Sequence, residues 1–227
     1  MNLDQRSDYS ECPEKQRTRR ETLEAVMKCD ALWDFGTLDC DWMETTGQKA
    51  PSLKMLIEQG IDPNRFIGIN WADPSLKGHV EHHELEKASR DLLKANEEMY
   101  QAGTWHYGSF EQACREDLFP NVGVIVFDSH YAISANDAIT RPVHVIEFFK
   151  QQVRRLGQAV LVINVVYKGS RSLPRDKAKD IWVQALADHL GLPVEAIPMD
   201  IYTSEGRSRP MALTRIAMDA AHLNGHR

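Results

Sequence analysis

The chain has few cysteines, no long apolar run and no glycine-rich repeat, and each of these gaps removes a class of protein. Its 4 cysteines, Cys12, Cys29, Cys40 and Cys114, include no C-x-x-C pair. That spacing excludes a cysteine-built zinc site and a disulfide-stapled scaffold, and it suits thiols kept reduced. No apolar stretch approaches the roughly 20 residues of a membrane-spanning helix, and MNLDQRSDYSECPEKQRTRR lacks the apolar core of a secretory signal. The expectation is a soluble, cytoplasmic protein. A net charge of −6 argues against wholesale coating of nucleic acid, although it leaves room for a local basic patch. Ser170, Ser172 and Ser204 form no G-x-S-x-G nucleophile elbow. No internal repeat is visible.

What is present is ordinary globular material: 42% hydrophobic and 26% charged residues over a length of 227. That length suits one α/β domain with a sizeable core. Residues 1–20 are polar and read as a flexible arm, with the domain spanning 21–227. Leu23, Val26 and Met27 stand at helical spacing, so a helix starting near Pro13–Gln16 leads to the first strand, Ala31–Phe35. Asp34-Phe-Gly36-Thr37 is its exit turn. Pro51–Gly60 reads as a helix with proline at its start and glycine past its end. Arg65–Asn70 is the second strand, and a long polar helix follows, from about Leu76 to Ala102.

Thr104–Tyr107 is a short third strand, and Glu111–Leu118 a short helix. Val122–Phe127 and Gln158–Val166 are unbroken apolar runs, the pattern of strands covered on both faces. The first of them stops at Asp128-Ser-His-Tyr131. Helices are expected at Val143–Arg155 and Lys177–His189. Two final strands, Glu195–Tyr202 and Met211–Met218, have no helix between them and therefore pair antiparallel at one edge. Strand and helix otherwise alternate, which predicts a mostly parallel seven-stranded sheet with helices on both faces.

This order of elements, with its antiparallel terminal hairpin, resembles the class I S-adenosylmethionine-dependent methyltransferases, whose fold is Rossmann-like. The resemblance covers roughly Glu21 to Met218. Asp34-Phe-Gly36-Thr37 resembles the start of the family's glycine-rich first turn, although Leu38 and Cys40 stand where further glycines occur. Phe66–Asn70 resembles the second strand, with Asn70 in place of the acid that binds the ribose hydroxyls. Trp105–Phe110 resembles the segment that contacts adenine, with Ser109 where Asp or Asn is usual. The resemblance implies S-adenosylmethionine as cofactor, held by Asp34, Gly36, Asp39, Asn70, Trp71, Ser109 and Phe110. Asp39, or Asp41, would meet the ammonium group of the ligand.

Val124–Asp128 resembles the fourth strand with its terminal acid. Asp128-Ser-His-Tyr131 falls where amino-methylating members carry Asp/Asn-Pro-Pro-aromatic, with Ser129 and His130 in place of the prolines. By that resemblance Asp128, His130 and Tyr131 are the catalytic candidates: Asp128 to orient an amine or take a proton, His130 as a base near neutral pH. Asp128 can equally be a cap, with Tyr131 packed on the sheet.

Lys168, Arg171 and Arg175 follow the fifth strand, and Arg207 and Arg209 lie between the last two. Parallel strands point their carboxyl ends at the ligand crevice. Lys168, Arg171, Arg207 and Arg209 are therefore candidate substrate-binding residues for phosphates of a nucleic acid or of a phosphorylated small molecule. His79 and His83 are one helical turn apart but do not match a metalloprotease pattern, and no metal is expected. Trp33, Trp42 and Trp71 either wall an adenosine pocket or belong to the core. The reading is a methyltransferase acting on a nitrogen or oxygen nucleophile; the alternative is an inactive relic of the fold that serves as a binding or regulatory module.

Overall fold

The computed structural model describes residues 13–70, 82–132, 142–166, 175–202 and 211–224. Helix α1 (Pro13–Val26) includes residues 13–20 of the expected arm. Two two-residue strands, β1 (Trp33–Asp34) and β2 (Thr37–Leu38), form a small hairpin. The main sheet then begins with β3 (Asp41–Thr45), followed by α2 (Pro51–Glu58), β4 (Phe66–Ile69), α3 (His82–Tyr100), β5 (Thr104–His106) and α4 (Phe110–Arg115). The second half holds β6 (Val122–Ala132), α5 (Val143–Leu156), β7 (Gln158–Val166), α6 (Arg175–Leu190), β8 (Asp200–Tyr202), β9 (Met211–Asp219) and α7 (Ala220–Asn224).

The seven strands lie in the order β5-β4-β3-β6-β7-β9-β8. From β5 to β7 all neighbours are parallel, whereas β9 runs antiparallel to both β7 and β8. This is the expected Rossmann-like, methyltransferase-type α/β architecture with its C-terminal antiparallel hairpin. The chain starts at the centre, winds out through β4 and β5, then returns to the other side of β3. The carboxyl ends of β3 and β6 therefore flank a topological switch point, where open α/β sheets bind ligands.

Alternation along the strands divides the core in two. Trp42, Phe66, Val124, Val160 and Val162 cluster with Leu23 and Val26 of α1, Leu53 and Leu56 of α2, and Leu93 of α3. Met43, Ile67, Ile125, Leu161 and Ile163 cluster with Phe148 and Phe149 of α5 and with Trp182 and Leu186 of α6. Each such large side chain contributes about 1.5–3 kcal/mol on leaving water. Among the described residues no helix is long and apolar enough to cross a membrane.

One expected strand is corrected. Ala31–Phe35 is not the first strand of the sheet; that place belongs to Asp41–Thr45. Phe35 and Gly36 both have positive φ, 47° and 80°. They form the tight turn that fits the right-handed twist of a two-residue hairpin loop. The glycine is used to close that hairpin. Two smaller differences concern the later strands: β6 continues past Asp128 to Ala132, and a 3₁₀ turn at Val194–Ala196 takes up the start of the expected strand at Glu195.

Trp105 pairs across the strands with Gly68, and a Cβ on Gly68 would stand 2.6 Å from the indole carbons Cε3 and Cζ3. Gly68→Ala is expected to destabilise the fold by about 1–3 kcal/mol through overpacking, seen as a lower urea midpoint with an unchanged slope.

Cys29, Cys40 and Cys114 are free and buried. Burial pushes all three thiols up, that of Cys40 from 9.0 to about 12. The native state thus keeps protons that the unfolded chain releases above its own thiol pKa. The contribution to stability is complete below about pH 9 and is lost as pH rises toward 12. The urea midpoint should fall with rising pH in that range, and Cys40→Ala should flatten the fall.

Candidate functional site

Polar side chains gather at the carboxyl edge of the sheet, on the face covered by α1. Glu44 follows Trp42 on that face, Asp128 follows Val124 and Val126, and Asn164 follows Val160 and Val162. Glu44 is 4% exposed and accepts a 3.0 Å hydrogen bond from the Trp42 indole nitrogen. A buried carboxylate needs such a partner, because desolvation without one costs several kcal/mol.

The loop from β3 to α2, Thr46–Ala50, lies at the switch point and is fixed by its neighbours. Thr46 N donates to Ile69 O at 2.8 Å, continuing the ladder by one residue. Asn70 Nδ2 donates to Thr46 O at 2.7 Å, Asn96 Nδ2 to Gly47 O at 3.0 Å, and Tyr100 OH to Lys49 O at 2.5 Å. Lys49 and Ala50 hold φ of 62° and 36°, a left-handed conformation that costs non-glycine residues of order 1 kcal/mol each. Three side chains from β4's end and from α3 keep the strained turn in place. Thr45 Oγ1, just before the loop, is buried without a hydrogen-bond partner among the described residues.

Asp128 sits two residues past Val126, which is level with Glu44. Its Oδ1 accepts from Asn164 Nδ2 at 3.1 Å, and its Oδ2 is ion-paired with Lys15 of α1. Asn164 is 6% exposed and uses its second amide hydrogen on Tyr202 OH, at 2.9 Å. Four residues farther along α1 on the same side, Arg19 Nε donates to Ser52 Oγ in the first turn of α2 at 3.0 Å. The first turns of α1 therefore span from β6 to α2 across this edge.

Three of the expected cofactor residues do not reach this edge. Asp34, Gly36 and Asp39 belong to the β1–β2 hairpin and its exit, at the opposite edge of the sheet: Asp41 N bonds Asn121 O just before β6, and Ala31 N bonds the side chain of Gln158, the first residue of β7. Ser109 caps α4 by accepting from Gln112 N at 3.0 Å, and Phe110 is fully buried against Phe127, 5.1 Å between ring centroids. Of the tryptophans, Trp42 is fully buried core and Trp33 is packed against it. Asn70 does lie at the switch point, and its amide explains why no acid stands there: a carboxylate has no hydrogen to give Thr46 O.

Trp71, Lys168, Arg171, His79, Arg207 and Arg209 lie outside the described residues, as do the side chains of His83, His130 and Tyr131. The backbone of His130 and Tyr131 belongs to β6. His106, at the end of β5, is half-buried beside the Phe119 ring at 5.6 Å, and burial holds its pKa below the ordinary value. Among the described residues no group of acidic, histidine and cysteine side chains is arranged to hold a metal.

The residues that sequence reasoning missed are Glu44, the Thr46–Gly47 backbone, Asn96, Asn164 and Lys15. A signal existed for the first two, since Trp42-Met43 followed by a loop and Pro51 is a strand, turn and helix start. Lys15 had none, being 113 residues from its partner.

No protein-family model matches the chain, and no curated protein matches it. Among solved structures, a candidate rRNA methylase from Clostridium thermocellum is similar over 87% of this chain and 97% of its own, at 14% identity and a TM-score of 0.38. EvdMO1 is similar over 92% of this chain at 7% identity and a TM-score of 0.39, and this chain spans 48% of its length. The topology of the sheet, rather than these distant likenesses, establishes the fold class.

Asn70→Asp would set a carboxylate against the Thr46 carbonyl. It is expected to cost about 1–3 kcal/mol of stability, and Asn70→Ala less, since alanine adds no second acceptor; urea midpoints at pH 7 measure both.

Proposed function

We propose that the protein is an S-adenosylmethionine-dependent methyltransferase acting on a nitrogen or oxygen nucleophile. The observation that carries this reading is the braced Thr46–Ala50 loop at the switch point between β3 and β6. Thr45, the Thr46–Gly47 backbone and Asn70 would hold the cofactor. Their chemistry fits: Thr45 Oγ1 is buried and unpartnered among the described residues, and the bond from Asn70 to Thr46 leaves the Asn70 amide oxygen as an acceptor for a ribose hydroxyl.

When bound, S-adenosylmethionine supplies an electrophilic methyl group. The chain's own work is positioning, since aligning the nucleophile and removing its water account for most of the rate in such a transfer. Asp128, oriented by Asn164, would accept a hydrogen bond from the acceptor's N–H or O–H and take its proton. His130 and Tyr131, further along β6, would flank the acceptor, and Lys168, Arg171, Arg207 and Arg209 would meet phosphates of a nucleic acid or a phosphorylated substrate. The setting would be the cytoplasm.

A second reading rests on a specific observation. Lys15 is paired with Asp128, and Ser109 and Phe110 serve as cap and core, a use of these positions that suits a binding or regulatory module.

Calorimetric titration with S-adenosylmethionine and S-adenosylhomocysteine separates the two. The enzyme reading expects dissociation constants on the order of 1–100 µM, within the range of ordinary enzyme–substrate affinities. Absence of heat and of thermal stabilisation at millimolar ligand would leave only the module. If the cofactor binds, Asp128→Ala should abolish transfer while leaving affinity for S-adenosylhomocysteine within about twofold, as expected for a group that does not touch the cofactor.

A further inference from the structure

Phe35 is 98% exposed at the tip of the β1–β2 hairpin. A Cβ placed on its neighbour Gly36 would meet nothing within 4 Å, so the tip stands clear of the rest of the fold. The base of the hairpin is anchored. Leu32 and Leu38 are buried in the core with Leu23 and Val26 of α1, and Asp39 N bonds Leu32 O at 2.9 Å. Thr37 Oγ1 donates to Asp34 O at 2.6 Å across the turn. The ring is thus carried on a closed, fixed turn, which a partner can meet at little cost in ordering.

Stability does not select this residue. At φ 47° phenylalanine occupies the left-handed region, where bulky side chains are outliers, and a two-residue turn of this kind favours asparagine before glycine. A ring left in water also gains nothing from burial. Strain and exposure at one position are the mark of a side chain kept for a contact outside the fold.

The surrounding charges define that contact. Asp30, Asp34 and Asp39 are exposed, and none of them is ion-paired among the described residues. Lys28 is the one cation between residues 28 and 39, so the stretch holds three acids against one base. That excess repels a phosphate backbone or an anionic membrane, and a second copy would bring the same sign. An apolar recess bordered by lysine or arginine answers both the ring and the acids: the ring supplies the central anchor, and the opposite charges steer the approach.

We propose that the β1–β2 hairpin is a docking arm for a polypeptide with a basic-rimmed apolar recess, and that Phe35 is the side chain it receives. The arm lies at the sheet edge opposite the candidate site, so a partner held there leaves the carboxyl edge open. The inference goes beyond the methyltransferase reading and does not rest on it: a failed cofactor titration would leave the docking arm untouched.

The probe is an amphipathic leucine–lysine peptide, with a leucine–glutamate peptide of the same pattern as its control. The lysine peptide should slow amide hydrogen exchange in residues 31–39 of the wild type, and the glutamate peptide should not. Phe35→Asn should weaken the lysine peptide about tenfold or more, as for an interface anchor. Asp30→Lys combined with Asp34→Lys should also weaken it, and added salt should do the same. Phe35→Asn by itself should melt about 2–4 °C above the wild type through relief of the turn. Absence of protection by the lysine peptide, equal protection by the glutamate peptide, or affinity indifferent to Phe35→Asn would each overturn the proposal. So would a Phe35→Asn protein that melts below the wild type, since the ring would then serve the fold. A wild-type dimer that Phe35→Asn dissociates would assign the arm to a second copy instead.

Discussion

The burial of β3 on both faces is the constraint from which the rest of the molecule follows. Trp42 and Met43 are adjacent, point to opposite sides and are both fully buried, so a helical layer is required on each face of the sheet. With apolar side chains filling the middle of β3, β6 and β7, polar chemistry is confined to the strand ends. The carboxyl ends matter most, because the winding of the chain reverses between β3 and β6 and leaves a crevice there. Even the buried acid within β3, Glu44, is tied back to the strand's own tryptophan.

Two polar devices then shape that edge, one from side chains to the backbone and one between side chains. Asn70 and Asn96 spend amide hydrogens on loop carbonyls, which no carboxylate could do, and so hold a turn with two residues in left-handed conformation. Asn164 spends both amide hydrogens to orient Asp128 and Tyr202. Asparagine is the residue that can serve each place, because it donates and accepts from one short, neutral group. The same choice gives the site a mixed character in which neutral donors orient the acids.

Much of this was legible in the sequence, and the part that was not has physical causes. Val122–Phe127 and Gln158–Val166 announced buried strands through unbroken apolar runs, and Pro51 with Gly60 marked α2 at both ends. β3 was harder to see because only Trp42 and Met43 are apolar, while Asp41, Glu44 and Thr45 resemble loop residues. Asp41 is tolerated in a strand because Arg65 lies 3.5 Å away, a pairing no local pattern reveals. Ala31–Phe35 competed as a strand because Ala31, Leu32, Trp33 and Phe35 are apolar, yet positive φ at Phe35 and Gly36 folds that stretch into a hairpin. The site residues inherited the error: a turn placed one strand too early puts Asp34, Gly36 and Asp39 at the wrong edge. Lys15 against Asp128 is long-range, and one sequence cannot show it.

Register determines which way Asp128 faces, and Ser129 and His130 let the strand run on beyond it. Two prolines there would remove two backbone donors and end the strand at Asp128. Serine and histidine keep those donors, and β6 runs on to Ala132. From Asp128 to Ala132 it advances four residues while β7 advances two, from Asn164 to Val166, so the extra length is absorbed as an irregularity beyond Asp128. Asp128 itself stays in register and keeps its alternation with Val124 and Val126. Its carboxylate therefore stands on the α1 face of the sheet, instead of on a loop projecting from the strand end. A side chain fixed to a sheet face is reached by elements lying on that face, and α1 is one of them. The alternation of β6 and the presence of Lys15 at Asp128 are thus two parts of one arrangement: the first sets the acid on the face that α1 covers, and the second answers its charge.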